Sequence, residues 1–313
     1  MALAEPAAGA PGRLRSAPSP ALVLGAMCSV QLGSAIARTL FHQVGPAGAV
    51  TVRLVFAALL MVAIGRTNMP GRDSSARELR LIVAFGAVLG LMNLTFYEAL
   101  DRIPLGIAVA IEFVGPLTVA VAGSRRRREL LWVLLAAAGI LAMSHGRTNG
   151  LDVTGVIFAV AAGGCWAGYI LLNSRVGQTF SGSSALAPAL CVATLVALPL
   201  GIAEAGPHLL SARPLLLGSA VGVLSSVIPY SLEIEALRRI ATSVFGVLMS
   251  LQPAVATLAG FLVLGQTLSA RAMAGIGLVM LACAGASLRR PPGAKPVILE
   301  DQVALGGPPQ SVR

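Results

Sequence analysis

The sequence predicts an all-α integral membrane protein in which ten transmembrane helices form a 5+5 inverted repeat. Composition, an internal repeat and the distribution of arginine support this prediction. Hydrophobic residues make up 56% of the 313 positions and charged residues only 12%, whereas soluble domains carry roughly 25% charged residues. A mean hydropathy of +0.83 leaves no room for a large soluble domain.

An internal repeat relates residues 98–123 to residues 235–260 without a gap, at a shift of 137 positions. The tripeptide Glu-Ala-Leu opens both copies, and Pro116 recurs as Pro253. Both copies lie in long apolar tracts, so one helical unit has been used twice within a membrane. Such duplication, with the substrate site between the two halves, is typical of secondary transporters.

Ten apolar tracts are each close to the ~20 residues that cross ~30 Å of hydrocarbon. The predicted spans are residues 20–41, 46–65, 80–100, 104–123, 130–146, 153–174, 184–203, 214–236, 242–264 and 270–288. Because each half holds an odd number of spans, the second half enters the membrane from the opposite side. The two repeats are predicted at 20–146 and 153–288, flanked by disordered cytoplasmic tails at 1–19 and 289–313.

Basic residues indicate the orientation. Of the 23 Lys and Arg residues, 17 fall on one set of alternate connections, five on the other set, and Arg53 inside a span. By the positive-inside rule both termini are cytoplasmic, which predicts a multi-pass protein of a bacterial cytoplasmic (inner) membrane. The run Arg125–Arg128 is then a solvated loop against anionic lipid, with partner binding as the alternative. The basic residues lack an aromatic-lined face, which argues against a nucleic-acid partner.

Patterns for catalysis or metal binding are absent from the sequence. The four cysteines lie singly in apolar tracts without a CxxC, and the three histidines have no neighbour at ligand spacing. No Walker loop, GxSxG elbow or HExxH occurs. We therefore expect no metal, no cofactor and no enzyme activity.

Two charged residues lie deep inside predicted spans, where burying a charge in the membrane is costly and usually serves a function. Arg53 is about seven residues inside the second span, roughly 10 Å deep at helical rise; snorkelling to the outer headgroups is the alternative to a function. Glu112 lies near the middle of the fourth span. It is either a neutral group bonded to a neighbouring helix or a carboxylate that faces a cavity and binds an ammonium group or a proton. Gly115 and Pro116, on the same face, are expected to loosen the helix beside it.

Other polar side chains share faces of neighbouring spans. Candidates for substrate contact are Gln31 on span one, Asn93 and Tyr97 on span three, Trp166 on span six and Tyr230 on span eight. The shift of 137 makes Asn93 and Tyr230 equivalent. Glu233, on the same face as Tyr230, is a proton-coupling candidate after Glu112. Close packing through small residues is the alternative explanation for these faces.

Two carboxylates near span ends have a local partner instead. Glu98 precedes Arg102 by four residues, and Glu235 precedes Arg239 by the same interval. Residues four apart are neighbours on a helix surface, so both carboxylates are predicted to form ion pairs.

Four strings carry a resemblance to a known family. They are PLGIAVAIEFVGP at 104–116, CWAGYIL at 165–171, PYSLE at 229–233 and FGVLMS at 245–250. Residues 20–288 resemble the drug/metabolite transporter superfamily with its paired EamA domains, and these strings resemble its threonine/homoserine exporter branch. The resemblance implies ten helices in an inverted repeat, a central cavity and proton-driven export of small metabolites. Superfamily members often carry Glu where this chain has Gln252 and Gln266, which shifts any proton role toward Glu112.

We therefore expect an exporter of small hydroxyl amino acids such as threonine or homoserine, driven by proton antiport. Arg53 would hold the substrate carboxylate and Glu112 its ammonium group. Hydrogen bonds to the substrate side chain would come from Gln31, Asn93, Tyr97 and Tyr230. Efflux of another metabolite or drug on the same fold is the first alternative, and a membrane scaffold is the second. The expected partners are the amino acid, protons and the lipid bilayer, and the sequence is compatible with an oligomer.

Overall fold

The structure is a computed structural model, and every regular element in its described part is helical. The described residues are 18–64, 75–122, 129–144, 151–180, 185–237 and 239–288. The run Arg125–Arg128, most of both predicted tails and most of the connection after the second span lie outside these residues.

The described residues of the first half form six α-helices. They are α1 (Ser19–Arg38), α2 (Phe41–Ile64), α3 (Ala76–Arg102), α4 (Leu105–Glu112), α5 (Val114–Ala122) and α6 (Leu130–Ser144). Helices α4 and α5 together make up the predicted fourth span and are separated by a turn at Phe113. Ser75 caps α3 through a capping box with Glu78, which explains why this helix begins earlier than its apolar tract.

The described residues of the second half form seven α-helices. They are α7 (Val153–Thr179), α8 (Leu186–Ala205), α9 (Ala212–Gly222), α10 (Ile228–Leu237), α11 (Thr242–Met249), α12 (Gln252–Leu264) and α13 (Ala270–Leu288). A π-helical segment at Val223–Val227 joins α9 to α10, so these two helices form one long segment. Helices α11 and α12 together make up the predicted ninth span.

Nine segments in the described part are long and apolar enough to cross a membrane, not ten. Helix α6, in the place of the predicted fifth span, has 15 residues. At 1.5 Å per residue this length falls short of the ~30 Å hydrocarbon core. The predicted C-terminal end of this span, at residues 145–146, lies outside the described residues. The arrangement of ten helices therefore stays a prediction.

The fourth and ninth spans are interrupted at equivalent places, Phe113 in the first half and residues 250–251 in the second. A proline lies three residues after the first residue of each break, at Pro116 in the first half and at Pro253 in the second. Proline has no N–H, so each helix cannot bond the carbonyl four residues earlier in the ordinary way. The loosening that the sequence predicted beside Glu112 is thus observed, and it recurs in the second half.

Spans at equivalent places in the two halves pack against each other. Helix α2 packs against α8, α6 against α13, and the fourth span against the ninth through α4 and α12, while α3 runs along α7 and α10 along α1. Helix α3 also packs against α8, where small residues permit a close contact, since a Cβ atom on Gly86 would lie 2.4 Å from the carbonyl oxygen of Ala189. Gly86 and Gly90 of α3 therefore serve helix packing, which was the alternative explanation for that face.

Side chains of the second half satisfy backbone donors of the first. The Gln266 side-chain oxygen accepts a hydrogen bond from the Leu105 N–H at 3.0 Å, at the start of α4. Glu204 accepts from the Ala47 N–H at 2.9 Å, just after a kink at Gly45 with φ of +69°. These bonds cap helix starts that lack a local capping side chain. The predicted Glu98–Arg102 and Glu235–Arg239 ion pairs are both confirmed.

Candidate functional site

A central cavity of about 220 Å³ lies where the helices of both halves meet. Among the described side chains, its polar lining includes Gln31, Ser34, Arg53, Asn93, Glu112, Glu233 and Gln252. The apolar lining includes Leu89, Met92 and Met249. Pockets for drug-sized ligands are typically about 300–1,000 Å³, so this cavity suits a smaller molecule.

Arg53 of α2 reaches the cavity and is held at its wall by Tyr97 of α3. Its Nη1 donates a hydrogen bond to the Tyr97 hydroxyl at 3.1 Å, and its guanidinium carbon lies 5.6 Å from the ring centroid. No carboxylate oxygen lies within 4 Å of the guanidinium nitrogens in the described part of the chain. The arrangement fixes a cation that retains donors for an anionic group.

Tyr97 itself is completely buried and is not among the residues that line the cavity. Its ring packs against Phe41 of α2, with 5.7 Å between the centroids. The sequence predicted a direct contact between Tyr97 and the substrate. The structure instead places the tyrosine behind Arg53, where its hydroxyl and its ring orient the guanidinium.

Glu112 is the last residue of α4 and lines the cavity at the helix break. Within the described residues its carboxyl group has neither a hydrogen-bond partner nor an ion-pair partner within 4 Å. It interacts electrostatically with Arg53. The hydrogen bond to a neighbouring helix, the alternative for a buried glutamate, is therefore not seen in this part of the structure. One cation and one carboxylate face the same small space.

Aromatic side chains of α7 form one wall of the cavity. Trp166 meets Phe113 edge to face, with ring centroids 4.9 Å apart and planes at 89°. Tyr169 stacks on Phe85 at the same centroid distance. Because Phe113 occupies the break next to Glu112, the Trp166 ring also helps to hold that turn in place.

The remaining predicted contacts divide into three cases. Gln31 and Asn93 line the cavity, and the Asn93 Nδ2 donates to the Leu89 carbonyl at 2.9 Å. Glu233 of α10 is buried and also lines the cavity. The prediction for Tyr230 falls on a side chain that the structure does not describe.

The predicted site residues do not include Gln252 and Met249, which both line the cavity. The resemblance marks Gln252 only as a position where superfamily members often carry Glu. The repeat held a signal for both, because the shift of 137 pairs Met249 with Glu112 and Gln252 with Gly115. The equivalent of a deep glutamate at a helix break is expected to lie close to it across the interface of the halves.

A smaller cavity, of about 30 Å³, lies between α5, α11 and α13. Leu117 of α5 faces Gly246 of α11 across it, and Cys283 belongs to its α13 wall. Met249 lines both cavities, so its side chain stands between them. On the opposite side of the break, α4 and α12 are packed together: a Cβ on Gly106 would lie 2.0 Å from the Thr257 hydroxyl oxygen.

The backbones of α4 and α7 are in close contact at Glu112, which gives a stability test. A Cβ at Gly163 would lie 2.8 Å from the Glu112 carbonyl oxygen, whereas a Cβ at Gly164 would meet nothing within 4 Å. We expect Gly163→Ala to destabilise the fold by about 1–3 kcal/mol through overpacking. Gly164→Ala is the matched control and should melt like the wild type in detergent. Equal melting temperatures for both variants would contradict the close contact.

Known proteins resemble this chain in sequence and in fold. Residues 153–288 match the model of the EamA-like transporter family. The chain is 39% identical over 284 residues to threonine/homoserine exporter RhtA of Escherichia coli (strain K12), covering 89% of this chain and 95% of that protein. The exporter of the same name from Salmonella typhimurium (strain LT2) is 40% identical over 296 residues, covering 92% and 99%. One protein crystal structure shares the fold, with a TM-score of 0.58 at 19% identity over 86% of this chain and 96% of the other.

Proposed function

Because the chain belongs to the EamA-like transporter family, we propose that it exports threonine, homoserine and similar small hydroxyl amino acids from a bacterial cytoplasm. It is a multi-pass membrane protein of an exporter family. The observation that carries the choice of substrate is the central cavity, in which a fixed cation and a carboxylate face the same small volume.

A zwitterionic amino acid needs a cation for its carboxylate and an anion for its ammonium group. Arg53 offers a planar fork of donors, which matches the two oxygens of a carboxylate. Glu112 offers an acceptor that has no other partner in the described residues. We assign the substrate carboxylate to Arg53 and the ammonium group to Glu112. Trp166 and Asn93 would then contact the remainder of the substrate from the cavity wall.

The size of the cavity favours an amino acid over the alternatives. A volume of about 220 Å³ is below the range that drug-sized ligands occupy. A membrane scaffold would gain nothing from a cation and two carboxylates around an internal cavity, since polar groups inside a membrane are costly. Efflux of large apolar compounds is therefore the less favoured function, and a scaffold still less so.

We further propose that export is coupled to protons through Glu112, with Glu233 as the second candidate. A carboxylate in a small cavity binds either a proton or the substrate ammonium group, but not both at once. Competition for one group is sufficient for antiport. A proton from outside displaces the exported substrate, is carried inward on the carboxylate and dissociates into the cytoplasm, which frees the site for the next substrate. Gln252 cannot take this role, because an amide does not titrate in this pH range.

The same proposal places the protein in the membrane as two inverted repeats, at 20–146 and 153–288, with both termini in the cytoplasm. The equivalent breaks at Phe113 and residues 250–251 support the repeat. The packing of α2 against α8 and of α4 against α12 supports it too. In this orientation the smaller cavity lies on the cytoplasmic side of the central one, as the approach of an exported substrate requires.

Counterflow in proteoliposomes tests the proposed function. Vesicles loaded with unlabelled threonine should take up labelled threonine and homoserine, and protein-free vesicles should not. A panel of amino acids and larger cationic drugs would rank the substrates. Exchange of a drug without exchange of either hydroxyl amino acid would replace the proposal by its first alternative.

Cysteine labelling tests the orientation. Ser74→Cys and Thr148→Cys lie in connections that we place on opposite sides of the membrane, and both belong to segments outside the described residues. In a background without the four native cysteines, a membrane-impermeant thiol reagent added to intact cells should label position 148 but not position 74. Lysed cells supply the control, in which both positions should react. Labelling of both positions from outside would overturn the topology.

A further inference from the structure

Two glutamine side chains in the central cavity present acceptors that nothing in the described part of the chain uses. The side-chain oxygens of Gln31 and Gln252 are buried and accept no hydrogen bond from any residue that the structure describes. Gln31 is 2% exposed and Gln252 8% exposed, and both line the cavity. A buried acceptor without a donor is costly, so these oxygens are poised for a donor that arrives with a ligand.

The two glutamines come from opposite halves of the chain but belong to one wall. Gln31 lies on α1, Gln252 is the first residue of α12, and α1 packs against α12. Two other polar side chains of the cavity each make one hydrogen bond within the protein. Asn93 donates to the Leu89 carbonyl, and Arg53 is bonded to Tyr97.

The chemistry of the unused atoms selects the part of the substrate that they recognise. In the function proposed above, on which this inference rests, Arg53 takes the carboxylate and Glu112 takes the ammonium group by charge-assisted bonds. Arg53 and Glu112 bind groups that all amino acids share, and the donor that distinguishes threonine and homoserine is the side-chain hydroxyl. We infer that Gln31 and Gln252 form the hydroxyl-recognition subsite, in which their amide oxygens share the single hydrogen of the substrate O–H group in a three-centre hydrogen bond.

This subsite explains how a small cavity distinguishes a hydroxyl from a methyl group. Valine has nearly the shape of threonine, but it would leave the amide oxygens buried without a donor. Sites built to bond a hydroxyl reject the analogue that lacks it for this reason. Since an amide does not titrate in the physiological range, the preference should also be independent of pH.

Competition in counterflow tests the subsite. Unlabelled threonine and valine each compete for exchange of labelled threonine, and the ratio of their half-inhibitory concentrations measures the preference. Gln252→Met keeps the length of the side chain but removes the amide, and Gln31→Met does the same. We expect each variant to lower the preference for threonine by about five- to 150-fold, chiefly through weaker binding of threonine. Gln252→Asn, which withdraws the amide by one methylene group, should show a loss of the same sign.

Gln266→Met is the matched control, because the Gln266 oxygen caps α4 outside the cavity. This variant should keep the wild-type ratio even if less protein folds. An unchanged ratio in all three cavity variants, with threonine still exchanged by the wild type, would overturn the subsite and leave the proposed function standing. An equal loss of threonine and valine binding would also overturn it, because the amides would then hold a group common to both. Absence of threonine exchange by the wild type would instead reject the proposed function.

Discussion

Transport by an Arg53→Lys variant is expected to fall at least tenfold, although the positive charge is kept. A lysine ammonium group is a point donor and cannot form the two parallel bonds that a guanidinium makes with a carboxylate. It also loses the planar contact with the Tyr97 ring, now at 5.6 Å from the guanidinium carbon. Arg53→Ala removes the charge as well, which at a desolvated ion pair costs about 2–5 kcal/mol, or roughly thirtyfold and more in affinity.

Counterflow of labelled threonine with purified, correctly folded protein measures this effect. Arg213→Lys and Arg213→Ala are the matched controls, because Arg213 is an exposed residue at the start of α9. Tyr97→Phe removes only the hydroxyl that bonds Arg53, so we expect a smaller loss than for Arg53→Lys. Near-normal transport by Arg53→Ala would show that Arg53 does not bind the substrate and that its side chain only extends toward the lipid headgroups.

The features that were predictable from the sequence are those set by local pattern and by the repeat. Apolar tracts of helical length placed the spans, and the depth of Glu112 in one of them marked it as a candidate for a cavity. The shift of 137 pairs Pro116 with Pro253, but the break beside Met249 was not predicted. The spacing of Glu98 and Arg102 was sufficient to predict their ion pair, because four residues make one helical turn.

Contacts between the halves were not predictable in this way. The sequence placed Tyr97 on the same helix face as Asn93, one helical turn away. In the structure Asn93 lines the cavity, whereas Tyr97 lies behind Arg53. Gln266 and Glu204 each accept a hydrogen bond from a backbone N–H at a distant helix start. The donors, Leu105 and Ala47, are 161 and 157 positions away in sequence. Periodicity carries no information about such partners.

The largest functional effect is expected from Glu112→Gln, which should separate exchange from proton-driven export. Glutamine has the shape and the hydrogen-bonding capacity of a protonated glutamate, so this variant is expected to fold and to keep counterflow, with weaker binding of threonine because the ion pair to its ammonium group is lost. Exchange needs no net movement of protons, whereas accumulation against a gradient does. In inside-out vesicles with an imposed proton gradient, we therefore expect concentrative uptake of threonine to be lost.

The pH dependence of binding supplies the second readout for Glu112. Burying a charged carboxylate costs free energy unless it is paired or hydrated. The Glu112 carboxyl group should therefore be ionised only when it is paired with the substrate ammonium group or exposed to water on one side of the membrane. Protons then compete with substrate, and the affinity of the wild type should fall as the pH is lowered from about 8 to about 5. The Glu112→Gln variant should show a flat profile. Glu98→Gln is the control, because Glu98 is paired with Arg102 outside the cavity. A Glu112→Gln protein that still concentrates threonine, with an unchanged pH profile, would assign the coupling to Glu233, the other carboxylate that lines the cavity.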